Sequence, residues 1–204
     1  MISIDKVFII HYTKLKERKI NILNQLKDNN ITNYEFIDKY DREIVSTETI
    51  HSYINNLQLT IAERCVGIAH IETYKKIIEN NYKFCLILED DIILTDNFID
   101  KLNKYLECMP NDLDLGFLVD GCNFHANNIT SSQIWYNMHA GRTASAYLIT
   151  NTACAKILTT IIPFYMPIDH QLNIEIKTHN LQSYWCEPTI CTEGSKFLYE
   201  SSNT

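Results

Sequence analysis

The sequence predicts an α/β fold: one domain over residues 1–204, with a mixed, mainly parallel central sheet flanked by helices. Three observations predict it. The chain opens with a strand, a helix and a second strand, at 7–10, 16–27 and 34–37. This β-α-β order implies parallel strands joined by a right-handed crossover. A continuous apolar run, Phe84-Cys85-Leu86-Ile87-Leu88, then ends abruptly in Glu89-Asp90-Asp91. Such a run reads as a buried strand. Finally, 204 residues with 46% hydrophobic content suffice for one sizeable core.

Val7-Phe8-Ile9-Ile10 is the first strand. In 16–27, Ile20, Leu23 and Leu26 recur at helical spacing, and Asn29-Asn30 ends the segment. Tyr34–Ile37 is the second strand. Residues 38–56 are polar, with a short helix near 47–54. Thr60-Ile61-Ala62-Glu63 is a capping box, in which Thr60 bonds the amide three residues on and Glu63 reaches back. Its helix runs to about Asn80. After the strand 84–88, a helix over about 97–109 is capped by Thr95 or Asp96 and stopped at Pro110. A strand follows at 113–119. Residues 120–132, rich in Asn, Ser and Thr, form a long surface loop. Residues 144–149 are a strand, and Asn151 caps a helix to Ile162. Pro163 and Pro167 frame a turn, 169–177 is helical, and 182–186 is a last strand. The polar tail from about 187 lies across the site as a lid or is loose.

Composition narrows the function classes. The net charge is -7, from 18 basic and 25 acidic residues, without a Lys/Arg cluster. That argues against nucleic acid as a partner. The seven cysteines form no C-x-x-C pair and their count is odd. Zinc sites and disulfide frameworks are therefore disfavoured, and reduced thiols in a cytoplasmic setting fit. The N-terminus is no signal peptide and no apolar run approaches 18 residues, so neither secretion nor membrane insertion is expected.

The acidic triplet carries the chemistry. Burying a carboxylate costs several kcal/mol unless it is paired or bound to a cation. Three in succession therefore belong at the strand's exit, where open α/β sheets bind ligands. Hard oxygens there suit Mn²⁺ or Mg²⁺ escorting phosphates. The plainer alternative is an acidic strand-to-loop transition.

Four further segments, in fixed order with the triplet, resemble glycosyltransferase family 25, which includes bacterial lipopolysaccharide and lipooligosaccharide galactosyltransferases and collagen galactosyltransferases. Ile9-Ile10-His11-Tyr12 with Glu17-Arg18 is similar to its "I-N-L…R" start. Residues 62–70 resemble its "G-E-x-G-C…S-H" helix, and Leu88-Glu89-Asp90-Asp91 its "L-E-D-D" core. Residues 141–149 with Ala153 resemble "G-x-x-A-Y-x-I/S…A", and Pro167-Ile168-Asp169 a later "P-x-D". The chain departs from the pattern at His11, Tyr12 and Ala69, which replace the usual Asn, Leu and Ser. The resemblance implies a GT-A-like, Rossmann-type domain and transfer from a nucleotide sugar with inversion. The donor it implies is UDP-galactose or UDP-glucose, with Mn²⁺ or Mg²⁺ as cofactor. The acceptor is a hydroxyl on a glycan or on hydroxylysine of a collagen-like protein.

On that reading Asp91 is the direct metal ligand. Strand alternation puts Glu89 on the same side, to bind the metal, its water or a sugar hydroxyl. Asp90 faces the other way, toward ribose or a loop amide, unless it makes only a local turn bond. Asp169 is the candidate base, and equally a good helix N-cap. Ile10, His11 and Tyr12 fall where the donor's nucleotide would lie. Arg18 offsets the diphosphate or pairs with a neighbouring acid. Asp38 and Asp41 meet ribose or base, or only form turns. Glu63 and His70 share a helical face toward the donor, although capping also explains Glu63 and a backbone bond His70. Thr143 and Tyr147 line the floor near the metal or simply pack, and His139 and His170 are further candidate metal ligands or, more simply, surface or core histidines. Two rival readings are a non-catalytic relative that binds a nucleotide sugar or glycan, motivated by the three departures, and a metal-dependent phosphohydrolase. The chain lacks the second dense Asp/His cluster that a two-metal phosphohydrolase needs.

Overall fold

The computed structural model describes residues 3–55 and 58–196. Its main sheet is built from β1 (Lys6–Ile10), β2 (Tyr34–Ile37), β3 (Phe84–Glu89), β5 (Leu115–Phe117), β6 (Trp135–Asn137), β7 (Ala146–Thr150) and β8 (Ser183–Cys186). Their order across the sheet is β2-β1-β3-β7-β5-β8-β6. β2, β1, β3, β5 and β8 run one way, and β7 and β6 run against them. The sheet is therefore mixed and mainly parallel. A second small sheet pairs β4 (Ile92–Leu94) with β9 (Cys191–Glu193).

Two cores form because strand side chains alternate in direction. Cys85 and Ile87 of β3 point to one face with Phe8 and Tyr147. That face is covered by α2 (Thr47–Tyr53), α3 (Ile61–Glu79), α5 (Asn151–Ile157) and α6 (Ile168–Thr178). Phe84, Leu86 and Leu88 point to the other, under α1 (Lys16–Asp28), α4 (Phe98–Glu107) and the small sheet. The helices thus sandwich the sheet. Among the described residues no helix is long and apolar enough to cross a membrane. All seven cysteines are free thiols.

The opening β-α-β unit, α2 and α3 with its complete capping box stand as the sequence predicts. Four expectations change. The strand over 113–119 shortens to β5, because Leu118 turns its carbonyl to the amides of Ile190 and Cys191. Thr95 and Asp96 do not cap α4. Asn97 enters it in the left-handed region at φ 57°, and Thr95 accepts from Lys101 instead. Thr150, not Asn151, caps α5, since Asn151 donates to the carbonyls of Ile77 and Tyr82 at the end of α3. That helix stops at Ile157, where the amides of Thr159 and Thr160 tighten onto Lys156 and Ile157. β4, β6 and β9 are additions of three residues each.

Of the tail, residues 187–196 are described and contribute β9; the remainder lies outside the described residues.

Candidate functional site

A cleft of about 440 Å³ opens at the carboxyl ends of β1 and β3. Small-molecule sites have this size. β7 runs antiparallel beside β3, so the segment Thr143-Ala144-Ser145 that feeds it reaches the same edge of the sheet. The first turns of α3 and α6, and the strand β9, complete the walls.

Glu89 is the last residue of β3, with its amide on the Ser145 carbonyl at 2.8 Å. It faces α3, where His70 Nε2 lies 3.4 Å from Oε1. His70 is fully buried; its Nδ1 meets the Tyr147 hydroxyl at 2.8 Å, which meets the Tyr74 hydroxyl at 2.7 Å. Burial pushes the His70 imidazole down to about 3, so it is neutral at physiological pH. With Nδ1 accepting from Tyr147, Nε2 carries the proton and donates to Glu89. The Glu89 carboxyl is raised well above its usual value by burial, then by the charges of Asp91, Asp90, Glu193 and Asp169.

The expected alternation of the triplet stops at Glu89. The strand ends there and the chain turns through Asp90 and Asp91. Asp90 accepts from His11 Nδ1 at 2.7 Å, the Tyr12 amide at 3.3 Å and Arg18 Nη1, on α1, at 3.2 Å. Asp91 lines the same cleft as Glu89, and its Oδ2 lies 3.5 Å from the same guanidinium nitrogen. Its Oδ1 is buried and has no hydrogen-bond partner. Burial raises the Asp91 carboxyl, Arg18 pulls it back, Asp90 raises it, a Ser195 hydrogen bond lowers it and Glu193 raises it.

Ile10, His11, Tyr12, Arg18, Glu63, Glu89, Asp90, Asp91, Thr143 and Asp169 all line the cleft. Asp169 does not cap α6. It sits inside the first turn, and its Oδ1 accepts from the next amide, that of His170, at 2.8 Å. Glu63 both caps α3 and faces the cleft. His70 lies behind Glu89 rather than on the cleft wall, and Tyr147 lies behind His70. Asp38 is not brought in: it points to Lys19, 3.7 Å away. Asp41 takes its place, buried and accepting from the Thr13 amide and hydroxyl. His170 is on the rim, whereas His139 is exposed away from it.

Sequence reasoning missed Glu193, Ser195, Ser145 and Cys122 on the cleft wall. Cys122 arrives because Gly121 packs against Thr143, where a Cβ would lie 2.1 Å from the Thr143 methyl. Arg142 holds the start of the 120–132 loop by donating to the Phe124 carbonyl, and pairs with buried Glu187 at 2.6 Å.

Among the described residues no three His, Cys, Asp or Glu side chains are gathered to hold an ion unaided. The unpartnered Asp91 oxygen and the facing carboxylates instead fit an ion bound by one or two carboxylates and the substrate's own phosphates, as Mg²⁺ commonly is.

Residues 4–172 match the family described as glycosyltransferase family 25 (LPS biosynthesis protein). "Putative glycosyltransferase R655" of Acanthamoeba polyphaga mimivirus is 22% identical over 144 residues, 68% of this chain. The chain spans only 44% of that relative's length. A glycosyltransferase involved in glycosylation of the major capsid of PBCV-1 has a similar fold. The TM-score is 0.52 at 8% identity, over 92% of each chain. A197 from STIV aligns over 91% of this chain and 82% of its own, with TM-score 0.48 and 13% identity.

Proposed function

The chain belongs to glycosyltransferase family 25, and we propose that it transfers galactose or glucose from a UDP-sugar to a hydroxyl acceptor, with inversion and with a divalent ion. The acceptor hydroxyl belongs to a glycan or to a collagen-like protein. The observation that carries this reading is the acidic turn after β3, set in a cleft against the Arg18 guanidinium and with an unpartnered carboxylate oxygen.

Asp91, with Glu89 beside it, would hold Mn²⁺ or Mg²⁺ against the donor's diphosphate. The ion supplies positive charge where the leaving group becomes negative. Arg18 stays on Asp90 and Asp91 and fixes the turn. His70 orients Glu89. Ile10, His11 and Tyr12, with Asp41 held beside them by Thr13, form the wall for the nucleotide. Asp169, on the α6 side, takes the acceptor's proton as its oxygen attacks the sugar carbon.

Two measurements test this. Calorimetry with UDP-galactose, UDP-glucose, UDP-GlcNAc, a CMP-sugar and a GDP-sugar, with and without Mn²⁺, should find one UDP-sugar whose binding needs the ion. Binding to none would sink the proposal. Asp169→Asn should then lose transfer while keeping donor affinity; lost ion binding would make Asp169 a ligand rather than the base. Donor binding by the wild type without transfer to any acceptor would favour the non-catalytic reading.

A further inference from the structure

We infer that Phe124 is the platform on which a sugar ring of the acceptor stacks, which makes the acceptor a neutral saccharide; this rests on the glycosyltransferase reading above and chooses between its two acceptor classes. Phe124 is 55% exposed. A single exposed apolar side chain ordinarily needs no explanation. This one is anchored from below. Arg142 and Glu187 form a buried ion pair at 2.6 Å. Such a pair forms only at the cost of dehydrating both charges. It holds the backbone of 124–126: Arg142 Nε donates to the Phe124 carbonyl at 2.8 Å, and Glu187 Oε1 accepts from the Ala126 amide at 3.1 Å. Trp185, itself buried, backs the aromatic ring. The two rings are stacked, with centroids 6.5 Å apart and planes 23° apart, and Trp185 Nε1 donates to the Ala140 carbonyl at 2.8 Å. Phe124 is thus held in one orientation and still open to solvent.

Three links tie this ring to the cleft. Cys122, two residues earlier, lines the cleft, and Gly121 packs against Thr143. Arg142 directly precedes Thr143, which is also on the cleft wall. Asn173 Oδ1 accepts from the Gly141 amide at 2.8 Å while its Nδ2 donates to the Asp169 carbonyl at 3.1 Å. The candidate base and the segment that anchors Phe124 therefore share one brace. The surroundings say what the ring receives. Residues 121–133 contain no Asp, Glu, Lys or Arg, and Asn123, Asn127 and Asn128 are exposed among them. A pyranose presents C–H groups on its face and hydroxyls at its rim. The negative face of an aromatic ring attracts polarised C–H groups, and side-chain amides both donate to and accept from hydroxyls. A charged acceptor finds no carboxylate, ammonium or guanidinium on this loop to pair with.

The test is saturation-transfer NMR titration of the full chain with lactose, cellobiose, maltose and a hydroxylysine-containing collagen-like peptide, in the presence of UDP and Mn²⁺. Wild type, Phe124→Ala and Phe124→Trp are compared, and calorimetry with UDP-galactose and UDP-glucose follows the donor side of each. At least one disaccharide should bind the wild type. Phe124→Ala should weaken it by about tenfold, the upper range for one aromatic contact. Phe124→Trp, which keeps an aromatic face, should restore binding, and the UDP-sugar affinity should be the same in all three proteins. Equal disaccharide affinity in wild type and Phe124→Ala would overturn the inference. So would binding of the peptide alone, or of none of the four probes, by a protein that binds a UDP-sugar; the glycosyltransferase reading would then stand without this platform. A parallel fall in UDP-sugar affinity in Phe124→Ala would reduce Phe124 to a structural role. A wild type that binds no UDP-sugar would overturn the reading beneath.

Discussion

Arg18→Met should destabilise the protein by about 3 kcal/mol at neutral pH, and the loss should shrink as pH falls. One guanidinium nitrogen lies 3.2 Å from Asp90 and 3.5 Å from Asp91, and the Arg18 side chain is 7% exposed. At an effective dielectric of about 20, each attraction is worth about 5 kcal/mol before the cost of dehydrating the ions. Removing one partner of a buried pair typically costs about 3–5 kcal/mol. The lower end applies here, because Asp90 keeps His11 and the Tyr12 amide whereas Asp91 loses its cation. For a chain of this length, that is a melting shift of about 6–12 °C. The pH dependence follows from Asp91, whose carboxyl is already raised in the folded protein and loses Arg18's downward pull in the variant. A carboxyl raised in the native state contributes its full stability below its unfolded value of about 3.9, and that stability is lost as pH climbs through the folded value. The loss should therefore be larger at pH 8 than at pH 5, with a slope approaching about 1.4 kcal/mol per pH unit for one proton. Urea unfolding of both proteins at the two pH values measures this. A loss at pH 8 below about 1 kcal/mol, the value of a surface pair, would refute the reasoning. So would equal losses at pH 5 and pH 8.

Three further outcomes are expected. Gly67→Ala should destabilise by about 1–3 kcal/mol despite alanine's better helix propensity, because its Cβ would lie 2.6 Å from the ring of fully buried Phe164; a more stable variant in thermal melts would contradict this packing. Tyr147→Phe leaves His70 Nδ1 and the Tyr74 hydroxyl without their bridging partner and should cost about 1–3 kcal/mol in chemical unfolding, whereas a neutral result would mean that the buried chain is not formed. The His70 ring should show no titration by NMR between pH 5 and 8, since burial holds it down to about 3; an inflection near 6.5 would place it in water. Its neutrality supports stability above the unfolded value, and that support is lost as pH falls from about 6.5 toward 3.

What was legible in the sequence is what short-range physics fixes. The strand 84–88 is apolar at every position because it is buried on both faces, and the carboxylates after it had to lie at its exit. The Thr60–Glu63 box marks a helix start, since both partners lie within one turn. β4, β6 and β9 span three residues each, too few for an alternating pattern to declare itself, and they exist through their partners. Glu193 was hidden for that reason: Cys191-Thr192-Glu193 becomes a strand only by lying against β4. Asp38 and Asp41 look equivalent after β2. They are separated by neighbours distant in sequence, Lys19 drawing Asp38 outward and Thr13 anchoring Asp41 at the cleft. His11 gives the sharpest case. As a departure from the family pattern it points to weakened function, but in the fold it donates to Asp90 and packs edge-on against Phe36. It therefore braces the acidic turn, with the Arg18 ion pairs on the turn's other contacts. A residue that departs from the motif can still bond the acidic turn, as His11 does. Whether it does so cannot be read until the chain brings residue 90 to residue 11.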